Sequence, residues 1–160
     1  MTPFFSRTIV LFLCLTIPSC FPKIPRSDHP PEPIGFSEIG NGNGADNLAG
    51  PDKLLTVIQK EAFFKETYLM LTKKPAPPID FTRYTVLLVR MGTCKSAGYG
   101  IEIADVLDHE KYVEVRVLSR TPGKSCINAL SLTRPYQFVK IPRTEKQIVF
   151  SESLVVTECK

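Results

Sequence analysis

Five cysteines and two histidines have the most chemistry to offer in this 160-residue chain. A thiolate can act as nucleophile or metal ligand, and an imidazole is the usual general base. Cys94 opens the densest stretch, GTCKSAGYGIEI, from Gly92 to Ile103. There a thiol, a lysine and a serine precede a tyrosine held between two glycines. His29 lies in a proline-rich run where nothing fixes it. His109 lies in a hairpin turn, where it is expected to be solvated. Spacing pairs neither with a nucleophile. The cysteines do not come as C-x-x-C pairs, so zinc and thioredoxin-like chemistry are unsupported. No G-x-S-x-G elbow, Walker loop or H-E-x-x-H is present. Glu102 and Glu114 alternate with apolar neighbours and read as solvent-face residues. The expectation is a protein that is not an enzyme, with no cofactor, no metal site and no small-molecule substrate.

The GTCKSAGYG stretch also fails as a phosphate cradle. It lacks the G-x-x-x-x-G-K-[ST] spacing, and no helix follows to aim its amides at an anion. Gly98 and Gly100 suit a backbone kink or close packing, and they leave the Tyr99 ring unobstructed. Lys95, Ser96, Ala97, Gly98, Tyr99 and Gly100 therefore form either a tight corner between sheets or an exposed recognition loop.

The elements that must position this loop follow from periodicity. KLLTVIQ, residues 53–59, reads as a strand. KEAFFKETYLMLTKK, residues 60–74, switches to a helical period with Phe64, Tyr68 and Leu71 on one face. Pro75, Pro77 and Pro78 stop it. YTVLLVRM, residues 84–91, is a continuous apolar run and reads as a buried strand. YGIEIADVL and YVEVRVLS, residues 99–107 and 112–119, alternate strictly and form a hairpin with Tyr99 opposite Ser119. YQFVKI and QIVFSESLVV, residues 136–141 and 147–156, are the last two strands. Ile34 to Ile39 reads as a short first strand, and the glycine- and asparagine-rich Gly40–Gly50 as a loop. The fold class is mainly β: an antiparallel β-sandwich or curled sheet with one helix near the start of the domain. The expected core is Leu55, Val57, Phe64, Val86, Leu88, Ile101, Ile103, Val113, Val115, Val117, Val139, Ile141 and Phe150.

The N-terminus carries a different signal. TIVLFLCLTIP, Thr8 to Pro18, is about eleven residues long, too short to span a bilayer as a helix and suited to a signal-peptide core. Ile17-Pro18-Ser19-Cys20 resembles a bacterial lipobox, in which the cysteine is acylated and becomes the first residue. Phe21 to Pro33 is proline-rich and reads as an extended tether. The organisation is thus a signal peptide over 1–19, a lipidated Cys20 and tether over 20–33, and a β domain over 34–160. Such a chain belongs at the bacterial cell envelope, lipid-anchored to a membrane on its periplasmic or surface face. The formal charge of +4 is too small, and its basic residues too scattered, to argue for nucleic acid.

Several features fall in the order found in the PrcB family of protease-complex subunits. They are Asp80-Phe81 before an apolar strand, Gly92, the Ala97-Gly98-Tyr99 turn, the strand hairpin, and Pro122-Gly123. Thr133 to Tyr136, Val139 to Pro142 and Val149-Phe150 follow, with TVIQKEAFFKETY upstream. The resemblance covers roughly Leu54 to Phe150. Ala97 stands where the family usually has a glycine, and Lys95 where it has a proline. The resemblance implies a non-catalytic surface lipoprotein that binds or stabilises an envelope protein complex, in the family's case one built on a subtilisin-like protease. The small-Gly-Tyr turn is also similar to the loop of chagasin-type protease inhibitors, so the alternative is inhibition through Lys95–Gly100.

Export permits a disulfide. Hairpin arithmetic places Cys94 and Cys126 at the open end of the same hairpin, where a bond would close a loop of about thirty residues worth roughly 3–4 kcal/mol. Cys159 is left over, free or cross-linked to a partner.

Overall fold

The computed structural model describes residues 30–44 and 53–159. The expected signal peptide, Cys20 and most of the expected tether, His29 included, lie outside the described residues. Among the described residues, eight strands and one helix follow in the order β1 (Glu32–Pro33), β2 (Ser37–Asn43), β3 (Leu54–Ile58), α1 (Glu61–Thr72), β4 (Tyr84–Arg90), β5 (Gly100–Asp108), β6 (Tyr112–Pro122), β7 (Pro135–Pro142) and β8 (Gln147–Thr157). They form two four-stranded sheets, β1-β5-β6-β8 and β2-β7-β4-β3. The expected class holds: mainly β, one helix, and sheets not closed into a barrel.

The uninterrupted apolar run of β4 has a simple cause. Leu87 and Val89 point between the sheets, where they meet Ile101, Ile103, Val115, Val117 and Ile141. Val86 and Leu88 point the opposite way, into a second core with Ile58, Phe64, Leu71 and Phe138. The strand is thus covered on both faces, by a sheet on one and by α1 on the other, and cannot alternate with polar residues. Phe64 anchors the helix. Its ring centroid lies 5.4 Å from Tyr68, 5.8 Å from Phe81 and 6.0 Å from Phe138. Full burial of each such ring contributes about 1.5–3 kcal/mol. Asp80 shapes the chain just before Phe81: its Oδ1 accepts the Thr82 amide at 2.9 Å. The Thr82 contacts hold the Asp80 carboxyl below its usual range. Helix α1 ends on Lys73, which takes the left-handed conformation (φ 58°) while its amide donates to the Leu69 carbonyl.

Four expectations need correction. Gly40 to Asn43 belong to β2 and pair with β7, residue for residue from Gly40 opposite Phe138 to Asn43 opposite Pro135. Tertiary pairing overrides the poor strand propensity of glycine and asparagine there. Glu32–Pro33, expected at the end of the tether, pair with Asp108 and Leu107 as β1. The β5–β6 hairpin sets Ile101, not Tyr99, opposite Ser119, and a bulge between Ile103 and Asp105 shifts the register beyond it.

The fourth correction concerns the cysteines. The disulfide joins Cys126 to Cys159, and Cys94 is a buried free thiol. Because β7 crosses into the other sheet, β8 returns parallel to β6, with Thr157 level with Pro122. The C-terminus therefore ends beside the loop that leaves β6, and Cys159 meets Cys126. Cys94 turns instead towards the strand entering β7, where it forms a bridge with Thr133.

Candidate functional site

The Lys95–Gly100 segment is built into the domain. The Cys94 amide donates to the Thr133 carbonyl at 2.8 Å, and the Thr133 amide donates back to Cys94 at 3.0 Å. The Ala97 amide donates to the Ala129 carbonyl at 3.1 Å. The Thr133 hydroxyl donates to the Ser96 carbonyl at 3.0 Å, and Arg134 Nε to the Thr93 hydroxyl at 2.8 Å. These bonds zip the segment to residues 129–134 and leave Ser96, Ala97, Tyr99 and Gly100 half-buried, with Lys95 and Gly98 exposed. Gly98 sits at φ 91°, and a Cβ there would come within 2.9 Å of Asn128 Oδ1 and 3.2 Å of Pro122 Cβ. The turn needs glycine on both counts. Of the two readings left open by sequence, the corner between sheets fits: the loop carries the chain from β4 in one sheet to β5 in the other.

Cys94 is positioned by this corner but not activated by it. It is 8% exposed, and burial pushes its thiol up from the ordinary value. Its Sγ lies 3.5 Å from the Gly92 carbonyl, an acceptor that favours the protonated form.

Tyr99 and Gly100 open onto a cleft of about 290 Å³ between the sheets. Its walls are Glu38, Asn41, Gly42 and Asn43 from β2, Tyr136 and Gln137 from β7, Ile101 and Glu102 from β5, and Arg120 from β6. Its polar groups are tied to one another. Arg120 makes a two-pronged contact with Glu102, Nη1 to Oε2 at 3.0 Å and Nη2 to Oε1 at 2.6 Å. Asn41 Nδ2 donates to Glu38 Oε1 at 2.8 Å, and Gln137 Nε2 donates to Glu38 Oε2 at 2.7 Å. The other end of the Gln137 amide accepts the Ile103 amide at 2.7 Å. That backbone donor stands beside the β5 bulge, so one side chain satisfies it and couples the two sheets. Tyr136 lies against Gly42, where a Cβ would stand 2.7 Å from the phenol oxygen, and burial pushes its hydroxyl above the usual value. This lining offers amide and phenol contacts beside the amide-held Glu38 carboxylate and the neutralised Arg120–Glu102 pair. Such a surface suits recognition of a polar chain segment by hydrogen bonds.

His109 differs from its expectation. Its side chain is 12% exposed and stacks on Tyr112 with centroids 4.3 Å apart. Its Nε2 lies 3.2 Å from Glu114 Oε2, while the Ser151 hydroxyl donates to Glu114 Oε1 at 2.6 Å. The carboxylate stands between hydroxyl and imidazole. A base that must take a hydroxyl proton directly has no contact with it in this order. Ser151 holds the Glu114 carboxyl below its usual range against the opposing effect of burial, with His109 and Arg116 adding to it. Glu114 thus lies on the outer face of β6, as its alternation implies, with its carboxylate engaged by His109, Ser151 and Arg116. Among the described residues no cluster of three His, Cys, Asp or Glu side chains is placed to hold a metal ion.

No curated protein and no solved structure matches the chain significantly. Residues 85–142 do match a family model, that of the PrcB C-terminal region. The matched span begins in β4, passes through the corner loop, Tyr99 and the β5–β6 hairpin, and ends with β7. Over these residues the chain is similar to the PrcB C-terminal region.

Proposed function

We propose that the chain is a non-catalytic module that binds and stabilises a protein complex of the bacterial cell envelope, one containing a protease, held at the membrane through a lipid on Cys20. The observation that carries this reading is the match of residues 85–142 to the PrcB C-terminal family. The site supports it. The corner loop is clamped to residues 129–134 and does not project as a free inhibitory segment. Cys94 is buried with a raised thiol pKa, unlike a catalytic nucleophile. The cleft beside Tyr99 presents hydrogen-bonding groups to a polypeptide. A lipid anchor on Cys20 would hold the module near co-anchored partners at high effective concentration.

Cross-linking and pull-down from native membranes, repeated with Tyr99→Ala, tests the reading beside inhibition assays on papain-like and subtilisin-like proteases. Recovery of a stable envelope partner, weakened by Tyr99→Ala and without inhibition, is the expected result. Micromolar or tighter inhibition abolished by Tyr99→Ala would replace it with the inhibitor reading. Metabolic fatty-acid labelling of Cys20→Ala checks the anchor, and continued label incorporation would remove Cys20 from that role.

A further inference from the structure

Four strands form the sheet edges, and they are not equally protected. β1 has two residues, one of them proline. β2 is broken by a bulge between Glu38 and Gly40. β3 has five residues and is preceded by Lys53. Short length, bulges, prolines and lysines are the ordinary means of preventing an edge from pairing with another chain. β8 has none of them. It runs for eleven residues, pairs with β6 without a register shift, and contains no proline, lysine or arginine.

The two halves of β8 also differ. In the first, Ile148 and Phe150 pack against the intersheet core. Glu152 is held by Lys53 and by the Ser119 hydroxyl. In the second, Leu154, Val155 and Val156 are 66%, 41% and 54% exposed. Successive strand residues point to opposite faces, so this half is uncovered on both. The Cys126–Cys159 bond and the Gly123 amide on the Thr157 carbonyl tie the 123–134 loop to the same end. Ile127, next to Cys126, is 102% exposed there. Three consecutive exposed apolar residues at one end of an edge strand mark a contact surface.

We propose that the Ser153–Thr157 segment of β8 pairs antiparallel with the same segment of a second copy, joining two four-stranded sheets into one across a two-fold axis. The edge dictates the chemistry of its occupant: an extended, uncharged chain rich in β-branched residues. The segment itself, Ser-Leu-Val-Val-Thr, has that composition. Pairing centred on Val155 opposes no like charges within the segment; at its ends Glu152 faces Glu158 of the partner subunit, each already engaged in its own copy, Glu152 by Lys53 and the Ser119 hydroxyl and Glu158 by the Ser125 hydroxyl. It also lies beyond the residues packed on the core, so the two sandwiches fall at opposite ends of the joint. A two-fold pairing uses up both edges and closes the assembly.

Sedimentation velocity of the full chain in mild detergent, over a concentration series, reads the assembly. The expected result is a dimer whose dissociation constant rises at least about tenfold in Val155→Lys and in Val155→Glu, while an equimolar mixture of the two recovers it. Amide hydrogen exchange of the unaltered chain gives an independent measure, with protection of Ser153–Thr157 growing with concentration. A monomer at tens of micromolar, a dimer indifferent to both substitutions, or exchange at Ser153–Thr157 that does not slow with concentration would each overturn the proposal.

Discussion

Gln137→Glu tests the coupling between the two sheets with a change of one atom. In the native protein Gln137 Oε1 accepts the Ile103 amide and Nε2 donates to Glu38. Glutamate keeps the acceptor and replaces the donor with a second oxygen facing a carboxylate across 2.7 Å. One hydrogen bond is lost, worth about 1 kcal/mol, and an acceptor is left facing an acceptor. Two charges about 4 Å apart add about 1 kcal/mol in water and about 4 at the effective dielectric of a protein surface. Gln137 is 8% exposed but Glu38 is exposed, which places the repulsion towards the lower figure. The expected penalty is about 2–3 kcal/mol at pH 7. The two carboxyls can share a proton, and their like charge raises the pKa of that proton in the folded state. A raised folded pKa contributes stability below the unfolded value that is lost as pH rises through the folded one. The penalty relative to the native chain should therefore shrink as pH falls from 7 towards about 4. The reciprocal change, Glu38→Gln with Gln137→Glu, restores a donor to the pair and should recover about 1–2 kcal/mol at pH 7. Urea unfolding monitored by circular dichroism at both pH values reads all three variants. A Gln137→Glu penalty independent of pH, or no recovery in the double variant, would refute the account of Gln137 as the polar link between sheets.

Three further outcomes are expected. Cys126→Ser removes a cross-link between residues 33 apart and should cost about 3–4 kcal/mol in chemical unfolding, whereas Cys94→Ala, which breaks no cross-link, should leave the oxidised chain as resistant to reductant as before. Lys73→Gly relieves a left-handed lysine at the C-terminus of α1 and should raise thermal stability by about 1 kcal/mol, while Gly98→Ala, at φ 91° and against Asn128, should lower it by about 1–3 kcal/mol. Ser151→Ala removes the contact that most depresses the Glu114 carboxyl; stability that Glu114 contributes above the unfolded carboxyl pKa, and loses as pH falls through its lower folded pKa, should decline in neutral solution and little in acid, as pH-dependent thermal unfolding would show.

What sequence reveals here depends on whether the deciding force is local. Val113, Val115 and Val117 alternate because one face of β6 meets the core, and their burial could be read off the chain. Leu55, Val57 and Phe150 were placed in the core by the same rule, yet each is only partly buried, because β3 and β8 are edge strands. The direction of β8 leaves no trace in a period of two, since alternation is the same for parallel and antiparallel partners. The misassigned disulfide follows from that gap: the β5–β6 hairpin was legible, and the parallel return that carries Cys159 to Cys126 was not. The glycine and asparagine of residues 40–43 signal a loop, yet they lie in β2: pairing with β7 holds them there, and position 42 takes glycine because Tyr136 of that strand stands where any Cβ would collide. Tyr99 could be singled out from its flanking glycines, but the rest of the cleft could not. Glu38 and Gln137 come together only through the β2–β7 register, and the Arg120–Glu102 pair only through the β5–β6 register.

The span of the family match has a structural meaning that the strand order makes plain. Residues 85–142 contain β4 and β7, the two central strands of one sheet, and β5 and β6, the two central strands of the other. They also contain the corner loop that connects the pairs. The match therefore takes in the part of the fold where each strand has a neighbour on both sides and most side chains have a buried face. Every edge strand, β1, β2, β3 and β8, lies outside it, as does α1. Substitution in the central strands disturbs two ladders and a core at once, whereas an edge can change length, charge and exposure at the cost of one ladder. The wall of the cleft supplied by β2 and the uncovered half of β8 both lie outside the matched span. Both can be altered by substitution without touching the strands that the family match defines.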